Sequence, residues 1–366
     1  MKAIALLGRR DEPTDGVTDY CNSLARALRK RAVELEIVRV PWAERGWSEA
    51  LRWLSHESRR WSGQWVLLQY TALAWSRRGF SIRVRQVLKL LQRNSARCAV
   101  VFHDAQAYEG ARLRDWFRRK IQHWTMQGLL VCADQSIFTV PLKSATWMHA
   151  DSLSATFVPV GANIPSHTAS RKYTSDESPK TIAVFCITGG EKGAREIRDI
   201  ALAVREVHAR LGPVCLEVFG RGAEDSESLF REALKVSGIW IRVRGILSAE
   251  EITRCLATAD VLLFVRGIIN SHRTTAIAGI SCGIPVVGYG NSGDDPAIDS
   301  AGVRLAPWHN PDALAAELVH VLADAQLWQE LHDRSLAAQS EYFSWDAIAG
   351  RYAQLLGASE IEHERR

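Results

Sequence analysis

Residues 271–275, Ser271-His272-Arg273-Thr274-Thr275, place a cation and hydroxyl groups between two apolar stretches. Val261 to Val265 before them is an apolar run of strand length, and Gly267 to Thr275 reads as a polar loop. Thr275 to Cys282 is a small-residue helix closed by Gly283, the residue type that tolerates the left-handed conformation past a helix end. Ile284-Pro285-Val286-Val287 then opens another buried strand. Strand, polar loop and helix N-terminus in that order make an anion site, because unpaired backbone N–H groups and the helix dipole face the ligand. An anion held there would meet Arg273, Thr274 and Thr275. Taken by itself, the segment is explained better as an ordinary strand–helix–strand unit.

Three other places carry comparable chemistry. Thr188-Gly189-Gly190-Glu191-Lys192-Gly193 sets glycines and Lys192 before a helix, as a phosphate-holding turn requires, although the spacing of a Walker loop is absent. His103-Asp104 follows the apolar run Cys98–Phe102, and a histidine at a strand's C-terminal end points to where open α/β sheets bind ligands. Gly16 precedes the first helix, where the missing Cβ lets backbone approach a phosphate or sugar. Phe219-Gly220-Arg221-Gly222 and Arg244-Gly245 end two further strands with tight turns. A solvated lysine, a loop histidine and plain turns account for each of these features separately.

The elements that must position these groups alternate strand and helix along both halves, which indicates βαβ units and parallel sheets. Strands are expected at 3–7, 35–40, 65–69, 98–102, 129–132 and 156–158, then at 181–186, 214–219, 239–242, 261–264 and 285–289. Helices are expected at 18–31, 47–57, 81–93, 112–127 and 140–149, then at 193–211, 226–237, 249–258, 275–282, 311–322, 325–342 and 345–356. The chain of 366 residues is long for one core and suits two domains. They are placed at 1–165 and 181–342, with a polar linker at 166–180 and a closing helical segment at 343–366. The expected fold class is α/β: two Rossmann-like doubly wound domains facing a cleft.

Composition narrows the function classes. At 47% hydrophobic and 24% charged residues the chain reads as a soluble globular protein. Seven scattered cysteines without a Cys-x-x-Cys pair argue against a disulfide framework and a zinc site, and for a reducing compartment. No stretch reaches the ~20 apolar residues that cross a bilayer, and the apolar run at Ala3–Leu7 is short for a secretion signal. A cytoplasmic protein is therefore expected, with peripheral contact at the inner membrane face as a further expectation. The net charge of +5 is unevenly spread. Residues 1–165 hold 25 Lys and Arg against 14 Asp and Glu, whereas the remainder hold 21 against 27. Residues 51–100 contribute ten of the basic side chains and one acidic one, Glu57. Arg83, Arg85, Lys89 and Arg93 surround the apolar face of one helix, and Arg112 to Lys120 is a second basic segment, bearing Trp116 and Phe117. Such helices can lie on anionic membranes, although a solvated charged face explains them better. There is little Arg/Gly or aromatic interleaving, so no nucleic-acid partner is expected.

In order and spacing these pieces resemble family 4 of the retaining glycosyltransferases, on the GT-B fold, along nearly the whole chain. Cys282-Gly283-Ile284-Pro285-Val286-Val287 is similar to the family's Cys-Gly-Leu-Pro-Val-Val, and Leu68-Gln69-Tyr70 to its "LQYP" strand end. The Gly16 loop, His103-Asp104, Val158 to Pro165, Lys192-Gly193, Gly220 and Phe343 to Tyr352 also match the family pattern. Anchored on Cys282-Gly283, the family's paired glutamates fall on Asn270 and Ala278, and Cys186 stands in place of a phosphate-binding arginine. Ser271 to Thr275 resembles a variant subgroup with an Arg-Arg-Gly-Thr/Ser stretch, in which an arginine beside the diphosphate compensates.

The resemblance implies a metal-independent hexosyl-type transferase of polysaccharide biosynthesis. It would move sugar from a nucleotide-diphosphate sugar donor to a glycan or lipid-linked acceptor, with retention and no cofactor. His103, Lys192 and Arg273 would be the catalytic residues; Gly16, Gly220, Asn270, Ser271, Thr274 and Thr275 would bind the donor. Two other readings stand beside it. One is a catalytically inactive glycosyltransferase-like binding or partner protein, suggested by Asn270 and Ala278. The other is a different two-Rossmann enzyme such as a sugar-nucleotide epimerase; a nicotinamide dehydrogenase is disfavoured by the missing Gly-x-Gly-x-x-Gly.

Overall fold

Runs such as Ala3-Ile4-Ala5-Leu6-Leu7 and Val261-Leu262-Leu263-Phe264-Val265 are buried at every position, which is what a parallel strand covered by helices on both faces requires. The structure, a computed structural model, describes residues 1–11, 15–148, 155–165, 173, 178–236 and 238–358. The chain divides into two compact units, Met1–Val160 with Trp345–Arg366, and Gly161–Ser344. The sequence expected a linker at 166–180, which falls outside the described residues except at 173 and 178–180.

The first unit carries β1 (Lys2–Leu7), β2 (Glu34–Arg39), β3 (Trp65–Tyr70), β4 (Arg97–Phe102), β5 (Gln135–Phe138) and β6 (Ala155–Phe157). Its helices before the crossing to the second unit are α1 (Gly16–Arg29), α2 (Trp42–Arg45), α3 (Trp47–Glu57), α4 (Val84–Arg93) and α5 (Leu113–Cys132). The sheet order is β2-β1-β3-β4-β5-β6, parallel throughout. The second unit runs β7 (Lys180–Phe185), α6 (Gly190–Leu211), β8 (Val214–Phe219), α7 (Ala223–Ala233), β9 (Ile239–Arg244), α8 (Ala249–Thr258), β10 (Val261–Ile268) and α9 (Thr274–Ser281). It continues with β11 (Val286–Tyr289), α10 (Pro296–Ser300), β12 (Val303–Ala306), α11 (Pro311–Ala323) and α12 (Ala325–Ala338). The order β12-β11-β10-β7-β8-β9 is again wholly parallel. In each sheet the winding direction reverses once, beside β1 in the first and between β7 and β10 in the second.

The last helix, α13 (Trp345–Leu355), packs on α1 within the first unit. The buried hydroxyl of Tyr20 donates to that of Tyr352 at 2.9 Å, the Trp65 indole N–H donates to the Leu356 carbonyl at 2.9 Å, and Arg31 pairs with Asp346 at 3.2 Å.

Several expected elements differ from the structure. Residues 129–132 are the last turn of α5 rather than a strand. Met126, Leu129 and Leu130 are buried at the three- and four-residue spacing of a helix face, and the strand follows at Gln135. At 140–149 the described residues form only one 3-10 turn, Leu142–Ser144, and His149 lies outside them. The edge strand β12 and the short α2 and α10 lack a run long enough to announce them. Within α4 the basic side chains are not all solvated: Arg85 lies 3.8 Å over the Trp124 ring with Nη1 buried, and Arg83 lies 5.7 Å over Trp47. The expected basic face of α4 is thus partly engaged in packing.

Candidate functional site

Open α/β sheets bind ligands beyond the C-terminal ends of strands flanking a reversal of winding. In the second unit that point lies between the hydrogen-bonded neighbours β7 and β10. Beyond β7, Cys186 adopts φ +66°, a left-handed conformation that costs a non-glycine residue about 1 kcal/mol or more. It turns the chain so that the Cys186 and Ile187 N–H groups donate to Phe219 O at 2.8 Å and Arg221 O at 2.9 Å. The loop then enters α6 through Gly189, whose side-chain-less N-cap leaves the first N–H groups uncapped, and Gly190 at φ +67°. Gly193 is buried, and a Cβ there would overlap the Thr188 carbonyl, so the loop closes down on the first turn of the helix. The Thr188 N–H donates to the Glu196 carboxylate at 2.8 Å, locking the loop to the second turn.

β10 supplies the opposite wall. Its register with β11 shifts between Phe264 and Ile268, and Gly267 stands at φ +102°. An irregularity of this kind re-aims side chains at a strand end. Arg266, on the shifted segment, donates to the Thr188 hydroxyl at 3.5 Å. Arg273, at the N-cap of α9, donates to the Ile268 carbonyl at 3.3 Å, and a Cβ on Gly267 would sit 3.0 Å from its Nη2. Partial burial, and then the like charge of Arg266, hold the Arg273 guanidinium below its usual pKa although its surface is more than a third open. Among the described residues no carboxylate figures in the groups acting on it. The Cys186 thiol is raised by burial, partly offset by the Arg221 N–H and by the charges of Arg266 and Arg221, so these cations gather round one loop. Two mutually repelling guanidiniums with no ion-pair partner among the described residues, next to helix starts without side-chain caps, form an arrangement that an anion stabilises.

The residues singled out by sequence occupy distinct places. Thr274 and Thr275 open α9 directly after Arg273. Lys192 is exposed on the first turn of α6. Gly220 stands at φ +89°, where a Cβ would come within 2.8 Å of Cys186 Sγ, so it shapes the turn behind the loop. Asn270 and Ser271 build the turn before α9. The Asn270 side chain accepts the His272 N–H at 3.0 Å, its carbonyl accepts the Arg273 N–H at 2.9 Å, and the Ser271 N–H donates to Asp295 at 2.6 Å. Ser271 Oγ is buried without a hydrogen-bond partner. Ala278, 2% exposed in α9, has no side chain capable of polar contact. Arg266 was missed. Reading the apolar run to Val265 and the loop from Gly267 left Arg266 in neither, whereas a cation just past an apolar run at a winding reversal was the available signal.

The first unit holds the other two. Gly16 is the first residue of α1, with open space where a Cβ would stand. Asp15 caps the helix by accepting the Thr18 N–H at 3.1 Å, and Arg39 donates to Asp15 at 2.9 Å. His103 is 6% exposed beyond β4, and its Nε2 shares a 2.8 Å hydrogen bond with Gln69 Oε1. The Tyr20 ring, one turn along α1 from Gly16, meets the imidazole edge-on at 5.0 Å between centroids. Gln69 is fixed in turn: its Nε2 donates to Leu67 O at 3.2 Å, and its carbonyl accepts the Trp75 indole N–H at 2.8 Å. The histidine is therefore held in one orientation by β3, β4 and α1.

No protein-family model matches the sequence, and no curated protein matches it. Solved structures do match in fold. Anabaena HepE in complex with UDP and glucose aligns with a TM-score of 0.65 at 14% identity, covering 98% of this chain and 100% of that one. Sucrose-phosphate synthase from Thermosynechococcus elongatus aligns at 0.65 and 17% identity, over 98% and 100% of the two chains. The lipopolysaccharide outer core galactosyltransferase WaaB, in its apo form, aligns at 0.65 and 11% identity over 98% and 99%. With two parallel six-stranded sheets matched along their whole length, the chain has the α/β two-domain fold of the GT-B glycosyltransferases.

Proposed function

We propose that this protein transfers a hexose from a nucleotide-diphosphate sugar to a glycan or lipid-linked acceptor, with retention at the anomeric carbon. The observation that carries the reading is the Arg266–Arg273 pair between two helix starts, a cationic site at the position where the fold binds ligands. In glycosyl transfer the bond from the anomeric carbon to the diphosphate breaks and its electron pair leaves on the phosphate. The acceptor hydroxyl bonds to that carbon and passes its proton to the departing diphosphate oxygen. Charge therefore develops on the departing diphosphate, and Arg266, Arg273 and Lys192 neutralise it there, with the N–H groups of Thr274 and Thr275 adding hydrogen bonds. These cations take the role that a metal fills elsewhere. His103, fixed by Gln69 and Tyr20, contacts the transferred sugar or the acceptor. HepE is known with UDP and UDP-glucose and WaaB is a galactosyltransferase, which supports a nucleotide-hexose donor.

A product assay with UDP-, GDP- and ADP-sugars, offered glycan and polyprenyl-linked acceptors, tests the proposal. The expected result is diphosphate release matched by a glycosylated product whose anomeric configuration equals the donor's. His103→Ala should lower turnover tenfold or more, on the order of a lost positioned acid–base or binding group, while diphosphate affinity stays within about twofold. An inverted product, or an epimerised donor with no acceptor consumed, contradicts the reading. A collapse of diphosphate affinity in His103→Ala would misplace the histidine.

A further inference from the structure

The outward face of α5 is apolar and aromatic where a solvated helix carries charge. Leu113, Trp116, Phe117, Lys120, Trp124 and Val131 recur at spacings that fall on one side of a helix of 3.6 residues per turn. Their apolar members are exposed, from 45% for Trp116 to 74% for Leu113 and 82% for Val131. The inward side also holds polar groups, two of which, Gln122 and Asp115, are tied into the fold. Gln122 accepts the Tyr108 N–H at 2.8 Å and donates to Gly79 O at 2.9 Å, and Asp115 pairs with Arg118 at 3.2 Å.

Cations are seated on and beside the exposed rings. Lys120 lies 5.7 Å from the Trp116 ring centre, Arg85 lies 3.8 Å over Trp124, and the Trp116 and Phe117 rings meet edge-to-face at 4.8 Å. At the start of the helix an open groove of about 470 Å³ is lined by Gly110, Ala111, Arg112, Leu113, Trp116 and Arg119. Asp115, the one acidic residue of α5, is buried, so the outward face is purely basic in its charge.

We propose that this face of α5 seats on the headgroup region of an anionic phospholipid bilayer. Tryptophan and phenylalanine rings partition to the membrane–water interface, and Lys and Arg beside them bind lipid phosphates while their stems remain among apolar groups. Charge complementarity selects this occupant over a second copy of the chain, because self-pairing would set Arg112, Arg114, Arg119 and Lys120 against their own like charges. The inference does not depend on the transfer reading.

Co-sedimentation of the full-length protein with vesicles of mixed phosphatidylglycerol and phosphatidylcholine, against phosphatidylcholine alone, tests it. Binding is expected to the anionic vesicles and to fall several-fold between about 0.1 M and about 0.5 M salt. Combined Leu113→Ser, Trp116→Ser and Phe117→Ser should weaken it at least tenfold. Arg112→Gln, Arg119→Gln and Lys120→Gln should weaken it by roughly fivefold per side chain. All six side chains are at least partly exposed, so thermal unfolding should be unchanged, and this is measured alongside. Equal binding to both vesicle types, binding to neither, or indifference to both sets of substitutions would overturn the proposal. So would self-association that the apolar substitutions abolish in the absence of vesicle binding.

Discussion

Arg273→Ala is expected to lower transfer by about 10²–10³-fold, the effect of removing one charge-assisted contact to a leaving group, ~2–4 kcal/mol in the barrier. Arg266→Ala should fall in the same range, and Lys192→Ala, exposed on the first turn of α6, in the same direction. Stability should move the other way. Among the described residues the Arg273 side chain makes one hydrogen bond, to Ile268 O, and it stands against the like charge of Arg266 in a partly desolvated position. Removing it relieves that repulsion, so the thermal midpoint of Arg273→Ala should equal or exceed that of the parent. Opposite movement of activity and stability is the signature of a site arranged for a ligand instead of for folding. Parental rates in both arginine variants, or a drop in midpoint that accounts for the lost activity, would make these arginines structural.

Gly193→Ala should be nearly as damaging, by a different route. A methyl group at 193 would overlap the Thr188 carbonyl and come 3.5 Å from the Ile187 side chain. The obstacle is backbone, which cannot swing aside. Either the loop from Ile187 to Gly190 moves by about an ångström, or the first turn of α6 frays. Thr188 is the residue that touches Arg266 and is tied to Glu196, so either outcome displaces the cationic site. Misplacement on that scale costs on the order of 10²-fold in rate, and overpacking costs about 1–3 kcal/mol of stability. Glycines 189 and 293 have open space around their Cβ positions, and Gly189, at φ −78°, should accept alanine with far smaller change. Transfer kinetics and thermal melts on the two alanine variants make the comparison. A Gly193→Ala protein with parental midpoint and rate would show that the loop is not held as described.

Much of this arrangement was legible in the residues. The helices 47–57 and 249–258 and the strand 214–219 have the bounds their patterns predict: Gly46 precedes the first, a Ser248–Glu251 capping box opens the second, and a mostly apolar run marks the strand. Gly283 stands at φ +69° after α9, as its place past a helix end requires. What escaped was set by contacts distant in sequence. Leu129 to Cys132 is four apolar residues in a row, which period alone cannot separate from a strand. Only the packing of Met126 and Leu129 in the core decides for helix. β12 is a strand because β11 pairs with it, not because Val303-Arg304-Leu305-Ala306 demands it. The turn that presents Arg273 is likewise set by distant contacts: the Ser271 N–H is held by Asp295, 24 residues on, while the Asn270 side chain accepts the His272 N–H. Arg266 enters the site through a register shift in β10 that no local pattern announces.

The central claim is that the loop after β7 and the start of α9 hold a nucleoside diphosphate. Calorimetric titration of the intact protein with UDP, GDP and ADP, repeated on Arg266→Ala and Arg273→Ala, addresses it without an acceptor or a known donor. Saturable binding of at least one diphosphate to the parent is predicted, with affinity at least tenfold weaker in each arginine variant, about 1.4 kcal/mol or more. No binding of any of the three, or binding that both variants retain in full, would contradict it.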